Sequence, residues 1–178
     1  MPGYVCPECG LDYDNVQPPD AKVAIASYPR RYRAELAGAL DDPDGGDALI
    51  RRRPDAATWS ALEYTAHVAD LDEAFADIVR RMNLEDRPTL TMFDPDERAA
   101  SDRYNEQDPA AVLDRFAANA EALVAAIGQV DADGWQRTAS FPWGERDLLT
   151  MVRNAVHEGT HHLRDVARVL AAARAARP

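Results

Sequence analysis

Four stretches of this chain set apolar residues at steps of three and four, and breaks rich in Pro, Gly or polar residues separate them. That spacing paints one stripe along an α-helix, and four stripes in so short a chain have to bury one another. The first stretch, residues 20–40, carries Val23, Ile25, Tyr28, Tyr32, Leu36 and Leu40, with Pro29 expected to kink it or mark its true start. The second opens at a capping box, Ser60 with Glu63 three residues on, and continues through Tyr64, Val68, Leu71, Phe75, Ile78 and Met82. Asp108 as N-cap and Pro109 as first helical residue open the third, whose stripe of Val112, Leu113, Phe116, Ala120, Leu123, Val124 and Ile127 stops at Gly128. The fourth covers residues 148–175 with Leu149, Val152, Val156, Leu163, Val166 and Leu170. The pattern predicts an all-α fold, a four-helix bundle over residues 20–178, preceded by a short extension at 1–19.

The connections carry their own signals. Residues 41–58 read as a loop on their Pro, Gly and Asp content, anchored to the core by Leu49 and Ile50. Residues 83–107 are polar and irregular, and a connection this long without structure of its own is a candidate cover for a cleft. Between Asp131 and Asp147, the residues Trp135, Phe141, Pro142, Trp143 and Gly144 predict a short extended excursion or hairpin.

Three of the four histidines suggest chemistry. His157 and His161 are four residues apart, so their rings share one helix face, and His67 on the second helix can supply a third imidazole. Neutral imidazole suits zinc, copper, iron and nickel, and three protein nitrogens with an open position describe a catalytic centre better than a closed one. The expectation is therefore one divalent ion, zinc or nickel first, at His67, His157 and His161. The pair lies well over a quarter-turn from the centre of its helix's apolar stripe, which allows either the edge of the bundle or plain solvent. His162, five residues from His157, reads as a surface or supporting residue, and Glu158 receives no catalytic role. Glu63, one turn before His67, and Asp70, three residues after it, are placed to orient an imidazole or take a proton. Their plainer readings are a capping residue and a solvated face. The chain has no GxSxG elbow and no Gly-rich phosphate loop, so nucleophilic hydrolases and nucleotide enzymes find no support.

Cys6-Pro-Glu-Cys9-Gly10 matches one knuckle of a zinc ribbon, but it is half a site. The missing ligands have to be carboxylates, histidine or the same knuckle of a second copy, and a redox or free dithiol is the alternative. Two cysteines are too few for a disulfide framework, and no segment has the length and apolarity to cross a bilayer, which together point to the cytoplasm. The formal charge of −11 repels phosphate backbones and anionic lipid. No nucleic acid and no membrane are expected as partners; a small-molecule substrate is, with a homodimer as one further arrangement.

The run Trp59-Ser60-Ala61-Leu62-Glu63-Tyr64-Thr65-Ala66-His67-Val68-Ala69-Asp70, the loop Asp102-Arg103-Tyr104-Asn105, and His157-Glu158-Gly159-Thr160-His161-His162 resemble the DinB-like family, over roughly residues 20 to 173. That family includes thiol-dependent maleylpyruvate isomerases and bacillithiol transferases. The resemblance implies an up-down-down-up bundle holding a divalent ion on three histidines, here mapped to His67, His157 and His161, with Tyr104 and Asn105 lining the cleft. It also implies a low-molecular-weight thiol such as mycothiol as cofactor, its thiolate activated by the ion. The leading expectation is a metal-dependent transferase or isomerase using such a thiol. A metal-dependent hydrolase and a non-catalytic metal-binding or dimeric interaction module are the alternatives.

Overall fold

The computed structural model describes residues 3–42 and 45–176, so the first two residues of the extension, the loop reading of Pro43 and Asp44 and the last two residues of the 20–178 span lie outside it. Four long helices carry the fold: α1 (Pro18–Leu40), α3 (Ala61–Leu84), α5 (Pro109–Gly128) and α6 (Leu148–Ala175). Between them come the short α2 (Gly46–Ile50) and α4 (Pro95–Ser101) and a hairpin of β1 (Thr138–Phe141) and β2 (Gly144–Asp147). α5 and α6 each pack against both α1 and α3, so the first two long helices lie on a diagonal. Successive helices of a simple up-and-down bundle would be neighbours. Here the segment between α1 and α3 has to cross an end of the bundle, where α2 packs on α1 and α6 and buries Leu49 and Ile50.

Local chemistry sets the helix ends. α1 begins two residues earlier than the pattern suggested, because Pro18 and Pro19 occupy its first positions, where no backbone N–H is needed. It also runs through Pro29 without ending. The Ser60 hydroxyl accepts from the Glu63 amide at 3.2 Å, and the Glu63 carboxylate accepts from the Ser60 amide at 2.9 Å, which closes the expected box. Asp108 and Asp147 cap α5 and α6 through the Ala111 and Thr150 amides.

The segment at 83–107 is more ordered than its composition indicated. Thr89 forms a bridge to Ser140 of β1, Asp94 caps α4 through the amides of Asp96 and Glu97, and Tyr104–Glu106 form a 3-10 turn. A seven-residue helix is too short to leave a readable period. The predicted hairpin is present, with Pro142 and Trp143 at its turn and Gly144 at φ 111°, a conformation that favours glycine.

Two tyrosines of α1 fasten it to α6. The Tyr28 hydroxyl donates to the Val156 carbonyl at 2.9 Å and lies 2.8 Å from the Thr160 hydroxyl, and Tyr32 donates to the Gly159 carbonyl at 2.9 Å. Both side chains are fully buried. This contact fixes the rotation of α6 at the level of its histidines.

Asp72 on α3 is a counterexample within the core: it is buried, and its Oδ2 has no hydrogen-bond partner among the described residues. Desolvation raises its carboxyl pKa well above the ordinary value, so it folds as the neutral acid. In the unfolded chain the same group ionises near pH 4. Its contribution to stability is therefore complete below about pH 4 and is lost as pH rises through the raised folded value, at most about 1.4 kcal/mol per pH unit. Asp72→Asn should flatten that slope and raise the melting temperature at pH 8 but not at pH 4. Parallel melting curves of the two proteins across that window would disprove the neutral assignment.

Candidate metal centre

The six-residue run His157-Glu158-Gly159-Thr160-His161-His162 feeds two separate clusters. Donor atoms of His67, Glu158 and His162 lie within 4.8 Å of one another, and so do those of Cys6, Cys9, His157 and His161. The single centre expected at His67, His157 and His161 is thus divided: His67 meets the two residues of α6 set aside in the sequence reading, and His157 and His161 face the cysteine knuckle. The reason is helical geometry. Positions 158 and 162 form one i, i+4 stripe beside the core face, and 157 and 161 form the neighbouring stripe, turned away from it.

His67 is 6% exposed, its ring 5.0 Å from that of Trp59, 6.1 Å from Phe93 and 5.2 Å from His162. Its Nδ1 is buried with no hydrogen-bond partner among the described residues, and burial lowers its pKa to about 4. A neutral imidazole with an unsatisfied nitrogen is a ligand in waiting. His162 is held from both sides, with Nδ1 2.9 Å from Asp165 Oδ2 and Nε2 3.1 Å from Glu158 Oε2. Burial opposes its charge, but these two carboxylates raise its pKa to about 9. Glu158, which burial would raise, is brought well below the usual carboxylate range by His157 and His162. Two imidazoles and one carboxylate make a chemically sensible set for zinc or another first-row ion, and Asp165 is the outer carboxylate that fixes which nitrogen of His162 points inward.

The cluster lies in the wall of a cavity of about 460 Å³. Trp59, Leu71, Phe75, Met92, Phe93, Trp143 and Met151 give it an apolar lining, and Glu158 is the single carboxylate among its lining residues. Met92, Phe93 and Pro95 come from the segment before and at the start of α4, so the connection does cover the cleft as its length suggested.

The carboxylates named from sequence serve elsewhere. Glu63 is paired with Arg53 and with its own N-cap. Asp70 accepts from Tyr104 at 2.8 Å and Arg98 at 3.1 Å, and Arg115 lies 3.2 Å away. Tyr104 and Asn105 do not line the cavity either: Tyr104 binds Asp70, and Asn105 accepts from the Ser60 hydroxyl at 2.7 Å and donates to the Arg51 carbonyl at 3.0 Å.

In the second cluster Cys6 and Cys9 are both buried thiols, with Cys6 Sγ 3.6 Å from His161 Nδ1. A hydrogen bond at the Cys9 backbone lowers the Cys6 pKa against the effect of burial, and with further contacts to His157, Glu8 and His161 it reaches about 5. The knuckle's neighbours are two histidines of the same chain, so no second copy is required to complete the set.

A family model described as the DinB superfamily matches residues 30–166. The chain belongs to the DinB superfamily. The match contains both i, i+4 stripes and His67 and leaves out the cysteine knuckle. Its bundle superposes on YfiT from Bacillus subtilis, described as "a probable metal-dependent hydrolase with an unusual four-helix bundle topology", with a TM-score of 0.76 at 13% identity, over 86% of this chain and 85% of that one. The mycothiol-dependent maleylpyruvate isomerase superposes with a TM-score of 0.66 at 15% identity over 86% of this chain, which spans 62% of the isomerase. At these identities the likeness is one of fold. No curated protein matches the sequence. Among the described residues no helix is long and apolar enough to cross a membrane.

Proposed function

We propose that this DinB chain is a metal-dependent enzyme whose ion is held by His67, Glu158 and His162 and whose substrate is a small molecule with an apolar body. The observation that carries the reading is the buried, unpartnered Nδ1 of His67 beside a carboxylate and a second imidazole in the wall of an apolar cavity. Zinc or nickel fits the donor set. A divalent ion there would act as a Lewis acid, favouring the ionised form of a bound thiol or water. The chain's own groups supply the rest. Asp165 orients His162, Trp59 and Phe93 brace the His67 ring, and the aromatic and methionine side chains exclude water from the reacting pair.

Thiol chemistry is favoured over hydrolysis by what the cavity lacks among its lining residues. Its single carboxylate is committed to the ion, so none of its lining carboxylates is left to relay protons for a bound water, whereas a thiol starts far more acidic than water and is ionised by the ion more completely. The co-reactant is thus a low-molecular-weight thiol such as mycothiol, and the reaction a transfer or isomerisation. The two free cysteines suit a reducing compartment, in keeping with a cytoplasmic setting.

The test is metal content and turnover of untagged protein. His67→Ala and Glu158→Gln should each remove one ion per chain and lower turnover of a small electrophile on the order of 100-fold or more, with helical circular dichroism unchanged. Full metal content in both variants would sink the centre. Turnover indifferent to added mycothiol would move the reading to hydrolysis.

A further inference from the structure

We propose that Cys6, Cys9, His157 and His161 form a closed, tetrahedral zinc centre that fastens the N-terminal extension to the outer face of α6, separate from the ion between His67, Glu158 and His162. The two thiols and two imidazoles come from segments about 150 residues apart in sequence, yet their donor atoms gather within 4.8 Å of one another. Both cysteines are buried, and His157 Nε2 is a buried nitrogen with no hydrogen-bond partner among the described residues. Two sulfurs and two imidazole nitrogens are a set that tetrahedral zinc takes, and the spacings Cys-x2-Cys and His-x3-His are those of closed zinc sites. Four protein ligands leave no open position, so this centre holds structure and does no chemistry.

The extension itself needs such a fastening. Its backbone makes a small hairpin: Val5 bridges to Asp12, the Tyr13 amide donates to the Tyr4 carbonyl at 3.0 Å, and Gly10, at φ 72°, turns the chain after Cys9. Among its described residues, Val16 and in part Leu11 join the hydrophobic core, and Tyr13 is buried against Tyr4 and His157. A segment of this size has no core of its own, and a metal is a common substitute. The surroundings match a zinc-bound histidine as well. His161 turns Nδ1 to Cys6, while its Nε2 is 3.4 Å from Glu8 and 3.6 Å from Asp165, carboxylates able to accept its other N–H.

Cobalt substitution of the full-length protein tests the assignment. Wild-type protein loaded with Co²⁺ should show the intense visible bands of a tetrahedral ion together with a thiolate-to-metal charge-transfer band. Cys6→Ala and His161→Ala should abolish the charge-transfer band and lower zinc content by one ion per chain. His67→Ala should keep that band while losing the other ion, which separates this centre from the proposed enzyme site even if a cysteine variant folds poorly. A folded wild-type protein without the thiolate band, or a freshly isolated protein whose mass shows a Cys6–Cys9 disulfide, would overturn the proposal.

Discussion

Gly159→Ala should destabilise the protein by about 3 kcal/mol or more, lowering its melting temperature by roughly 6–12 °C for a chain of this size. A Cβ at that position would meet Tyr28 Cε2 at 2.3 Å, Cδ2 at 2.5 Å and Cζ at 2.8 Å, all inside van der Waals contact. The ring cannot swing aside. Tyr28 is fully buried, and its hydroxyl is held by the Val156 carbonyl and the Thr160 hydroxyl. Relief has to come from α6 backing away from α1, which would disturb the rotation that presents both ligand stripes, so metal content should fall at both clusters. The effect is specific to one pair. In a Tyr28→Ala background the same glycine substitution should cost much less, and a double-mutant cycle by denaturant unfolding reads that coupling directly. Additive effects would show that the close approach does not limit the helix packing.

The same helix shows what was legible in the sequence and what was not. Its apolar stripe, caps and length could be read directly, because periodicity reports on which residues a helix buries. At about 100° of turn per residue, His162 lies about 60° and Glu158 about 100° from Gly159 on the core face, while His157 and His161 lie about 160° away, on the far side. The same helical turn, applied to Glu158 and His162 as well as to His157 and His161, separates the two stripes. A second signal is the incomplete Cys-x2-Cys knuckle, which lacks two ligands, while the His-x3-His pair, assigned with His67 to one ion, lies well over a quarter-turn from the apolar stripe of its helix. That the pair and the knuckle meet depends on a fold-back of the first residues along α6, which no local pattern encodes. Similarly, the capping box at Ser60 and Glu63 was legible because its partners are three residues apart. The partners of Asp70 are 28, 34 and 45 residues away, so their meeting is set by the fold alone.

That distant network sets the other large effect. Asp70→Ala should cost about 3 kcal/mol, because it removes the shared acceptor of three groups at once. Arg98 and Arg115 are partly exposed and can recover some hydration, so the full cost of stranding a buried charge does not apply to them. Tyr104 has no such recourse: it is fully buried, and its hydroxyl is left with no carboxylate. Asp70→Asn keeps an oxygen for Tyr104 and should cost distinctly less, which separates the hydrogen bond from the charge. The consequence reaches the cavity. Arg98 on α4 and Tyr104 in the following turn are the clamps that tie this connection down on α3, and its upstream residues Met92 and Phe93 roof the apolar lining beside His67. Asp70→Ala should therefore speed proteolysis within residues 85–107 while the four long helices keep their circular dichroism. Equal cleavage rates in the variant and the wild type would mean that the cover is held by its apolar contacts alone.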